Sequence, residues 1–422
     1  MNKPMSQVEP PVVSSNSDVQ QEIARIAALP GVKAARQWFA DQEAEFARWQ
    51  MEVSRIPAPP FGEMARGEWM AEQFRGLGIK DVSKDRIGNV FGFRKGRKQS
   101  VVAISAHLDT VFPPNTPLNI RQQGTKLFGP GISDNAAGLT ALLAVAAAVE
   151  NFNLPHEHSV LYIGNVGEEG EGDLRGMRHI FSESQWKDAI SSSLVVDGAG
   201  TDTIVAEALG SRRFEVTVRG PGGHSWSDFG APNPIVVLGR AINLFSQTRV
   251  SSSPKTTFNI GVIRGGTSVN SIPESASMRV DIRSSSPSEI DRLDLELRRA
   301  VDQSIQEEEI RTAHRRDPLR RSGLIAEMVP IGNRPGGELG PNARAVQIAC
   351  AVDTHLTNHA QIQRASTDAN IPISMGREAI AIGAGGNGGG AHTLQEWFDP
   401  IGRALGLQRI LLIALALAGA GK

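Results

Sequence analysis

The sequence has 422 residues, of which 40% are hydrophobic and 21% are charged, an ordinary composition for a globular protein. This length exceeds one ordinary hydrophobic core, so two or three domains are expected. The formal net charge of −1 provides no overall field that would attract nucleic acid or an anionic membrane, and neither is expected as a partner.

The two ends of the chain and its cysteine content lead to an expectation about where in the cell the protein is located. Residues 1–19 are polar and rich in Pro and Ser, and we expect them to form a disordered leader. They lack the charged start and apolar core of a secretory signal. The longest apolar run, residues 410–420, is too short to span a bilayer and predicts a terminal core helix. The single cysteine, Cys350, excludes an intramolecular disulfide. These features predict a cytoplasmic protein.

The first part of the chain is helical and then alternates with strands. Apolar residues recur at helical spacing over residues 19–56, and Pro30-Gly31 divides this stretch into two predicted helices. A further helix is predicted over residues 63–77. Residues 82–94 predict a hairpin that turns at Gly88-Asn89.

Acidic residues and a histidine follow the buried strands that come next. Apolar runs at residues 101–104, 160–166 and 193–196 predict three such strands. The residues that follow them are His107 and Asp109, then Glu168 and Glu169, then Asp197. Ligands of open α/β sheets bind at the carboxyl ends of the strands, so these side chains are candidate functional residues. Glu168 and Glu169 would repel each other there unless a cation or a proton relieved them.

Asp134 lies in a glycine-rich segment, Gly129-Pro-Gly-Ile-Ser-Asp-Asn-Ala-Ala-Gly138, before an apolar helix predicted over residues 139–149. Its position predicts a helix N-cap. A carboxylate has more than one lone pair, so the same residue could also bind a metal.

The pattern changes at about residue 211. Alternating strands and amphipathic helices follow in the order β-α-β-β-α-β, which is the ferredoxin-like split unit. The βα pattern of the first domain returns after Pro335, with a buried strand at 379–382 and a glycine-rich loop that leads to His392. We therefore predict a discontinuous domain of residues 20–210 and 335–422, with residues 211–334 inserted into it.

The strand ends and loops together supply two histidines and several carboxylates. They are His107, Asp134, Glu168, Glu169, Asp197 and His392. Such a set suits a pair of divalent ions, zinc most of all, with cobalt or manganese as alternatives. Two ions close together can activate a water molecule and polarise a carbonyl group.

The motifs also carry a family resemblance. They are Ser105-Ala-His-Leu-Asp-Thr110, Ser133-Asp-Asn-Ala-Ala-Gly138, Gly167-Glu-Glu-Gly170, Val195-Val-Asp-Gly198, Gly222-Gly-His-Ser225 and Gly390-Ala-His-Thr393. In this order they resemble the M20 metallopeptidases, the group of peptidase T, glutamate carboxypeptidase, acetylornithine deacetylase and succinyl-diaminopimelate desuccinylase. The resemblance implies an α/β fold, with a zinc-exopeptidase-like mixed sheet flanked by helices and an inserted lid or dimerisation domain.

The resemblance also assigns roles to the candidate residues. It implies that His107 and Asp197 hold one metal, that Glu169 and His392 hold the other, and that Asp134 bridges the two. Glu168 would be the base that takes the proton of a water bridging the metals, and Asp109 would orient His107 from behind.

Three further roles fall in the inserted domain. The resemblance implies that His224 polarises the scissile carbonyl, acting in dimeric members on the partner's active site. Asn270 would assist at the same oxyanion. Arg283 is a candidate for binding a substrate carboxylate, since its fork suits bidentate contacts.

The implied activity is cleavage of a peptide (amide) bond in a small peptide. Ile56-Pro-Ala-Pro-Pro-Phe61 and Ser366-Thr-Asp-Ala-Asn370 resemble the peptidase T side of the family, which favours an exopeptidase of tripeptidase type. The role of the second segment, residues 366–370, stays undecided between a helix cap and a wall of the substrate pocket. The first alternative function is an N-acyl amino acid deacylase. The second is a non-catalytic metal-binding protein. The presence of both a complete ligand set and the base Glu168 argues against it. A homodimer through the inserted domain is a further expectation.

Overall fold

The structure is a computed structural model that describes residues 17–313 and 323–420. The chain divides into two units, Met1–Ala208 with Glu338–Lys422, here called the outer unit, and Leu209–Gly337, here called the inserted unit. These boundaries lie within three residues of those expected from the sequence. Of the expected disordered leader, residues 1–16 lie outside the described residues, whereas residues 17–19 are helical, so that part of the expectation is wrong.

The helices and strands follow in chain order. Up to residue 208 they are α1 (Ser17–Ala28), α2 (Pro30–Asp41), α3 (Glu43–Ser54), α4 (Met64–Gly76), β1 (Asp81–Lys84), β2 (Val90–Arg94), β3 (Lys98–His107), β4 (Arg121–Gln123), β5 (Lys126–Phe128), α5 (Ala136–Asn151), β6 (His158–Asn165), α6 (Arg175–Ser182), β7 (Ile190–Val196) and β8 (Thr203–Ala208). The inserted unit contains β9 (Gly210–Arg219), β10 (Gly223–His224), α7 (Pro234–Ser246), β11 (Thr257–Gly265), β12 (Ser271–Ile272), β13 (Ser275–Ser284), α8 (Pro287–Thr312) and β14 (Ile325–Arg334). The remainder contains β15 (Gly337–Glu338), α9 (Arg344–Leu356), β16 (Gln361–Ala365), α10 (Asn370–Ser374), β17 (Glu378–Ile382), β18 (Asn387–Gly389), β19 (Trp397–Asp399) and α11 (Arg403–Leu417).

A mixed sheet of nine strands forms the centre of the outer unit, in the order β1-β2-β6-β3-β7-β17-β8-β15, with β16 paired to β8. Its central strands β6, β3, β7 and β17 are parallel to one another, whereas the β1–β2, β2–β6 and β17–β8 pairings are antiparallel. Parallel strands covered on both faces read as continuous apolar runs, which is why β3, β6 and β7 were visible in the sequence. The mixed α/β fold class is confirmed.

Helices cover this sheet. The stretch predicted as two helices up to residue 56 forms three, because a second break falls at Gln42, where neither Pro nor Gly marks it. Helix α5 is buried on nearly all sides, as its uniformly apolar sequence predicts. Within the described ranges, none of the helices combines the length and the apolar character needed to cross a bilayer.

The inserted unit is a four-stranded antiparallel sheet in the order β11-β13-β9-β14. Helices α7 and α8 bury apolar side chains with it in a separate core that includes Phe214, Leu238 and Leu293. The order of its main elements is the β-α-β-β-α-β that the alternating pattern predicted. A short two-stranded pair, β10 with β12, lies outside the main sheet.

Candidate metal centre

The parallel centre of the outer sheet brings the predicted strand-end residues to one edge. His107 is the last residue of β3 and lies opposite Asn165, the last residue of β6. Glu168 and Glu169 come three and four residues after the end of β6, and Asp197 directly follows β7, which runs parallel to β3. The carboxyl ends of these strands therefore gather one imidazole and three carboxylates.

Asp134 lies between the two histidines. Its Oδ1 is 3.1 Å from Nε2 of His107, and its Oδ2 is 3.1 Å from Nε2 of His392. The cap of α5 is Asn135, whose side chain accepts a hydrogen bond from the N–H of Gly138. The interpretation of Asp134 as an N-cap is therefore wrong by one residue, and both of its carboxylate oxygens face the cluster.

The remaining separations complete the same pattern. Nε2 of His107 is 3.6 Å from Oδ1 of Asp197, and Nε2 of His392 is 3.0 Å from Oε1 of Glu169. Two atoms that each lie about 2.1 Å from the same tetrahedral ion are roughly 3.4 Å apart. The side-chain atoms of this cluster thus have the spacing of ligands that share a cation, and the imidazole and carboxylate donors fit divalent ions such as zinc.

The charges of the cluster perturb both histidines. Burial lowers the pKa of His107, but Asp109, Asp134 and Asp197 outweigh it and hold that pKa well above its ordinary value. Hydrogen bonds that the His392 ring donates to Asp134, and then to Glu169, raise the pKa of His392 to about 10. Without metal, therefore, protons on the imidazoles balance part of the carboxylate charge. A cation bound here would displace these protons, because histidine binds metal in its neutral form.

The carboxylate of Asp109 was expected to orient His107, but it accepts hydrogen bonds from the turn that follows β6. Its Oδ1 accepts the N–H of Glu168 at 3.0 Å, and its Oδ2 accepts the N–H of Glu169 at 2.7 Å. Nδ1 of His107 instead lies 3.0 Å from the backbone carbonyl oxygen of Asp109, whereas the nearest carboxylate oxygen is at 3.6 Å, too far for a hydrogen bond. Asp109 therefore orients His107 through its backbone and holds the Glu168–Glu169 turn through its side chain.

Sequence reasoning missed two buried acids beside the cluster. Glu396 is fully buried and accepts backbone N–H groups of the segment that carries Asp134. Asp368 is also fully buried, and its Oδ2 accepts a hydrogen bond from Nδ2 of Asn165 at 2.6 Å. Burial raises the pKa of Asp368 to about 7. For the segment 366–370, whose role the sequence left open, the structure thus shows a buried acid beside the end of β6.

In the inserted unit, the structure brings His224 and Asn270 together. His224 on β10 pairs with Ser271 on β12, and the N–H of Ser225 donates to the carbonyl oxygen of Asn270 at 3.0 Å. Nδ1 of His224 accepts the N–H of Trp226 at 3.2 Å. When the ring is neutral, its proton is therefore on Nε2, which leaves that nitrogen as a hydrogen-bond donor.

Arg283 lies elsewhere in the inserted unit. It is near the far end of β13, eight residues from Ser275 at the strand's start, and therefore about 27 Å along the strand from the β12 end. Its Nε donates to the carboxylate of Asp281 at 2.6 Å. Arg283 is thus separated from His224 and Asn270 within one chain.

Two family models match the chain in stretches that overlap slightly. Residues 89–213 match peptidase family M28, and residues 207–309 match the M20 peptidase dimerisation domain. The first stretch contains the segments that carry His107, Asp134, Glu169 and Asp197, and the second contains most of the inserted unit.

Individual proteins that are similar to this chain also include peptidases. A probable carboxypeptidase of Ajellomyces dermatitidis is 30% identical over 241 residues, which cover 52% of this chain and 54% of that protein. The chain thus spans about half the length of the first curated relatives it matches. The solved structure of aminopeptidase PepT from Bacillus cereus is 18% identical with a TM-score of 0.70, over 89% of this chain and 99% of that one. The YXEP protein of Bacillus subtilis, described as a dinuclear metal-binding peptidase of the M20 family, is 16% identical with a TM-score of 0.61, over 90% of this chain and 99% of that one. At these identities the two solved structures establish the fold.

Proposed function

We propose that this chain, a member of the M20 family of metallopeptidases, hydrolyses the amide bond of a small peptide at its cluster of histidines and carboxylates. The single observation that supports this proposal most is the position of Asp134. Its two carboxylate oxygens face two different histidines at 3.1 Å each, as a residue shared by two ions requires.

Two divalent ions would be held by five side chains. We assign one ion to His107 and Asp197 and the other to Glu169 and His392, with Asp134 common to both. Zinc suits these donors best, and cobalt or manganese would also fit. Bound there, the ions would supply Lewis acidity, polarising the scissile carbonyl and lowering the pKa of the attacking water toward 7.

The chain's own residues would move the proton. Glu168 precedes the ligand Glu169 and is 5% exposed, so it is close to the cluster and shielded from bulk solvent. We assign to it the general-base role, accepting the proton of the attacking water and passing it to the leaving amine. Asp109 would support this step, because it holds the backbone N–H groups of both Glu168 and Glu169.

His224 would stabilise the oxyanion. Its Nδ1 is engaged by the N–H of Trp226, so Nε2 is the nitrogen available to donate to a developing negative charge. We assign Asn270, which immediately precedes the strand β12 that pairs with the strand of His224, to the same oxyanion. Such donors contribute about a hundred- to a thousandfold in rate.

A homodimer would reconcile these assignments with a role for Arg283 in binding a substrate carboxylate. A tripeptide is about 10 Å long when extended, far shorter than the distance of about 27 Å along β13 that separates Arg283 from the segment of Asn270 and His224. One chain could not apply both groups to one small substrate. We therefore propose that His224 and Asn270 act on the partner chain's substrate, in a dimer formed through the inserted unit.

The preferred substrate is a tripeptide, as the resemblance to the peptidase T side of the family and the fold of aminopeptidase PepT favour. A second candidate is a carboxypeptidase, which the 30% identity to a probable carboxypeptidase favours. A cytoplasmic location, compatible with one cysteine and no intramolecular disulfide, is part of the same proposal.

A substrate panel on zinc-reconstituted protein tests this function. The panel contains a free tripeptide, the same tripeptide N-acetylated, its C-terminal amide, and N-acetyl and N-succinyl amino acids. We expect cleavage of the free tripeptide, since a tripeptidase of this type recognises the amino end, and weaker cleavage of its amide, which lacks the carboxylate assigned to Arg283. Cleavage of the N-acetylated tripeptide without its amide would instead identify a carboxypeptidase. Turnover of the acyl amino acids alone would overturn the peptidase assignment, and Glu168→Gln protein serves as the control for contaminating peptidases.

A further inference from the structure

Glu396 makes an unusual set of contacts for a buried acid. Its Oε1 accepts the N–H groups of Ser133 and Asp134 at 2.7 and 2.8 Å, and its Oε2 accepts the N–H of Gly131 at 2.9 Å. Its backbone carbonyl oxygen also accepts the N–H of Gly129 at 2.9 Å. One residue therefore fixes the backbone from residue 129 to residue 134.

This segment has no helix to satisfy those N–H groups. Helix α5 begins at Ala136 after its cap Asn135, so the N–H groups of Gly131, Ser133 and Asp134 all precede it. A carboxylate has about four lone-pair sites on two oxygens, and three of them are used here. A buried carboxylate is costly unless it is hydrogen-bonded, so its presence calls for a role that a smaller or neutral side chain would not fill.

Glu396 also connects two loops of the cluster. The pairing of Gly389 with Trp397 closes the β18–β19 hairpin, so His392 and Glu396 belong to the same hairpin loop, residues 390–396. From this loop the ring of His392 reaches Oδ2 of Asp134, while the carboxylate of Glu396 holds the backbone of Asp134. The position of Asp134 relative to His392 is thus set by two side chains of one loop.

We propose that Glu396 is a positioning residue that sets Asp134 between the two metal ions, and that the affinity of the site for metal depends on it. The inference rests on the proposed function, since it requires that Asp134 bind both ions. Glu396 itself touches neither histidine ring through the contacts described, so it acts through the backbone of Asp134. Replacing a residue that orients a metal ligand typically changes the metal affinity by about ten- to a hundredfold.

Two substitutions and one matched control test this role. Glu396→Gln keeps one carbonyl oxygen for the N–H groups of Ser133 and Asp134 but turns an amide donor toward Gly131, whereas Glu396→Ala removes all three bonds. The control is Asp353→Asn, another buried acid of the outer unit, which ion-pairs with Arg409 at 2.6 and 2.8 Å. Zinc dissociation constants are measured by calorimetric titration of chelator-stripped protein, with the Co²⁺ absorption spectrum and the Tm recorded for every variant.

We expect the zinc Kd to rise about tenfold for Glu396→Gln and about a hundredfold for Glu396→Ala, with an altered Co²⁺ spectrum in both. Asp353→Asn should lower the Tm while leaving the zinc Kd and the spectrum unchanged. A folded Glu396→Gln protein with the wild-type Kd and spectrum would overturn the proposal, even if Glu396→Ala did not fold. Equal weakening of zinc binding in the control would also overturn it, because the effect would then be general destabilisation. Wild-type protein that bound no zinc would instead refute the proposed function.

Discussion

The two hydrogen bonds that Asp109 accepts from the turn after β6 allow its role to be measured. Asp109 is fully buried, and each carboxylate oxygen accepts one N–H, from Glu168 at 3.0 Å and from Glu169 at 2.7 Å. Asp109→Asn keeps the size of the side chain but replaces one acceptor oxygen by an NH₂ donor. One backbone N–H of the turn then faces a donor and loses its partner.

The expected cost follows from this geometry. Leaving a buried donor unsatisfied costs about 1–3 kcal/mol. If the turn shifts to relieve it, that free energy is taken from metal binding, and 1.4 kcal/mol corresponds to about tenfold in a binding constant. We therefore expect the zinc Kd of Asp109→Asn to rise by about ten- to a hundredfold, and kcat to fall because Glu168 moves with the same turn.

The assay is zinc titration of stripped protein together with kcat and KM for the best substrate of the panel. His107→Ala, which removes a ligand outright, should weaken zinc binding more than Asp109→Asn does. The matched control is Asp188→Asn, at an exposed aspartate, for which no change is expected. Wild-type zinc affinity and wild-type kcat in Asp109→Asn protein would refute the role of Asp109 in holding the turn.

Glu168→Gln is expected to bind zinc normally and to lower kcat by about a hundred- to ten-thousandfold, as loss of a general base does. Equimolar mixing of Glu168→Gln with His224→Ala chains after reversible dissociation should restore about a quarter of wild-type activity, because half of the dimers are hybrids and each has one complete site. The stability of metal-free protein should depend on Asp368. Its pKa is about 7 in the folded chain and about 4 when unfolded, so the folded state loses stability as pH rises from about 4 to 7. Asp368→Asn, which keeps an acceptor for Asn165, should avoid that loss and gain on the order of 2–4 kcal/mol at pH 8 but little at pH 4, measured by thermal or urea unfolding.

Each of these expectations has a contrary result. Unchanged turnover in Glu168→Gln would remove that residue from the mechanism. No recovery of activity in mixtures that do form hybrids would show that His224 acts within its own chain. Equal effects of Asp368→Asn on stability at pH 4 and pH 8 would show that folding does not raise the pKa of Asp368.

The sequence predicted those features of the site that follow from strand patterns. Continuous apolar runs mark β3, β6 and β7, and the residues after them follow from chain order alone. The inserted unit was visible because its strands alternate between buried and exposed residues, as in β13.

What the sequence did not predict depends on contacts between distant segments. Glu396 holds residues more than 260 positions earlier in the chain, and a single acid in an ordinary loop has no local sign of burial. The contact of Asp109 with the turn after β6 is long-range in the same way. The cap of α5 was misplaced by one residue because Asp134 and Asn135 are both good N-cap types, and only the structure shows which one faces the cluster.

Metal stoichiometry tests the central claim most directly. Protein stripped with a chelator is titrated with zinc while bound metal is measured by elemental analysis and peptide hydrolysis is followed in the same samples. The account predicts two zinc ions per wild-type chain and hydrolysis that is absent from stripped protein and returns as zinc is added, with Asp134→Ala abolishing tight binding of both ions. Full activity in stripped protein, or tight binding of both ions without Asp134, would contradict it.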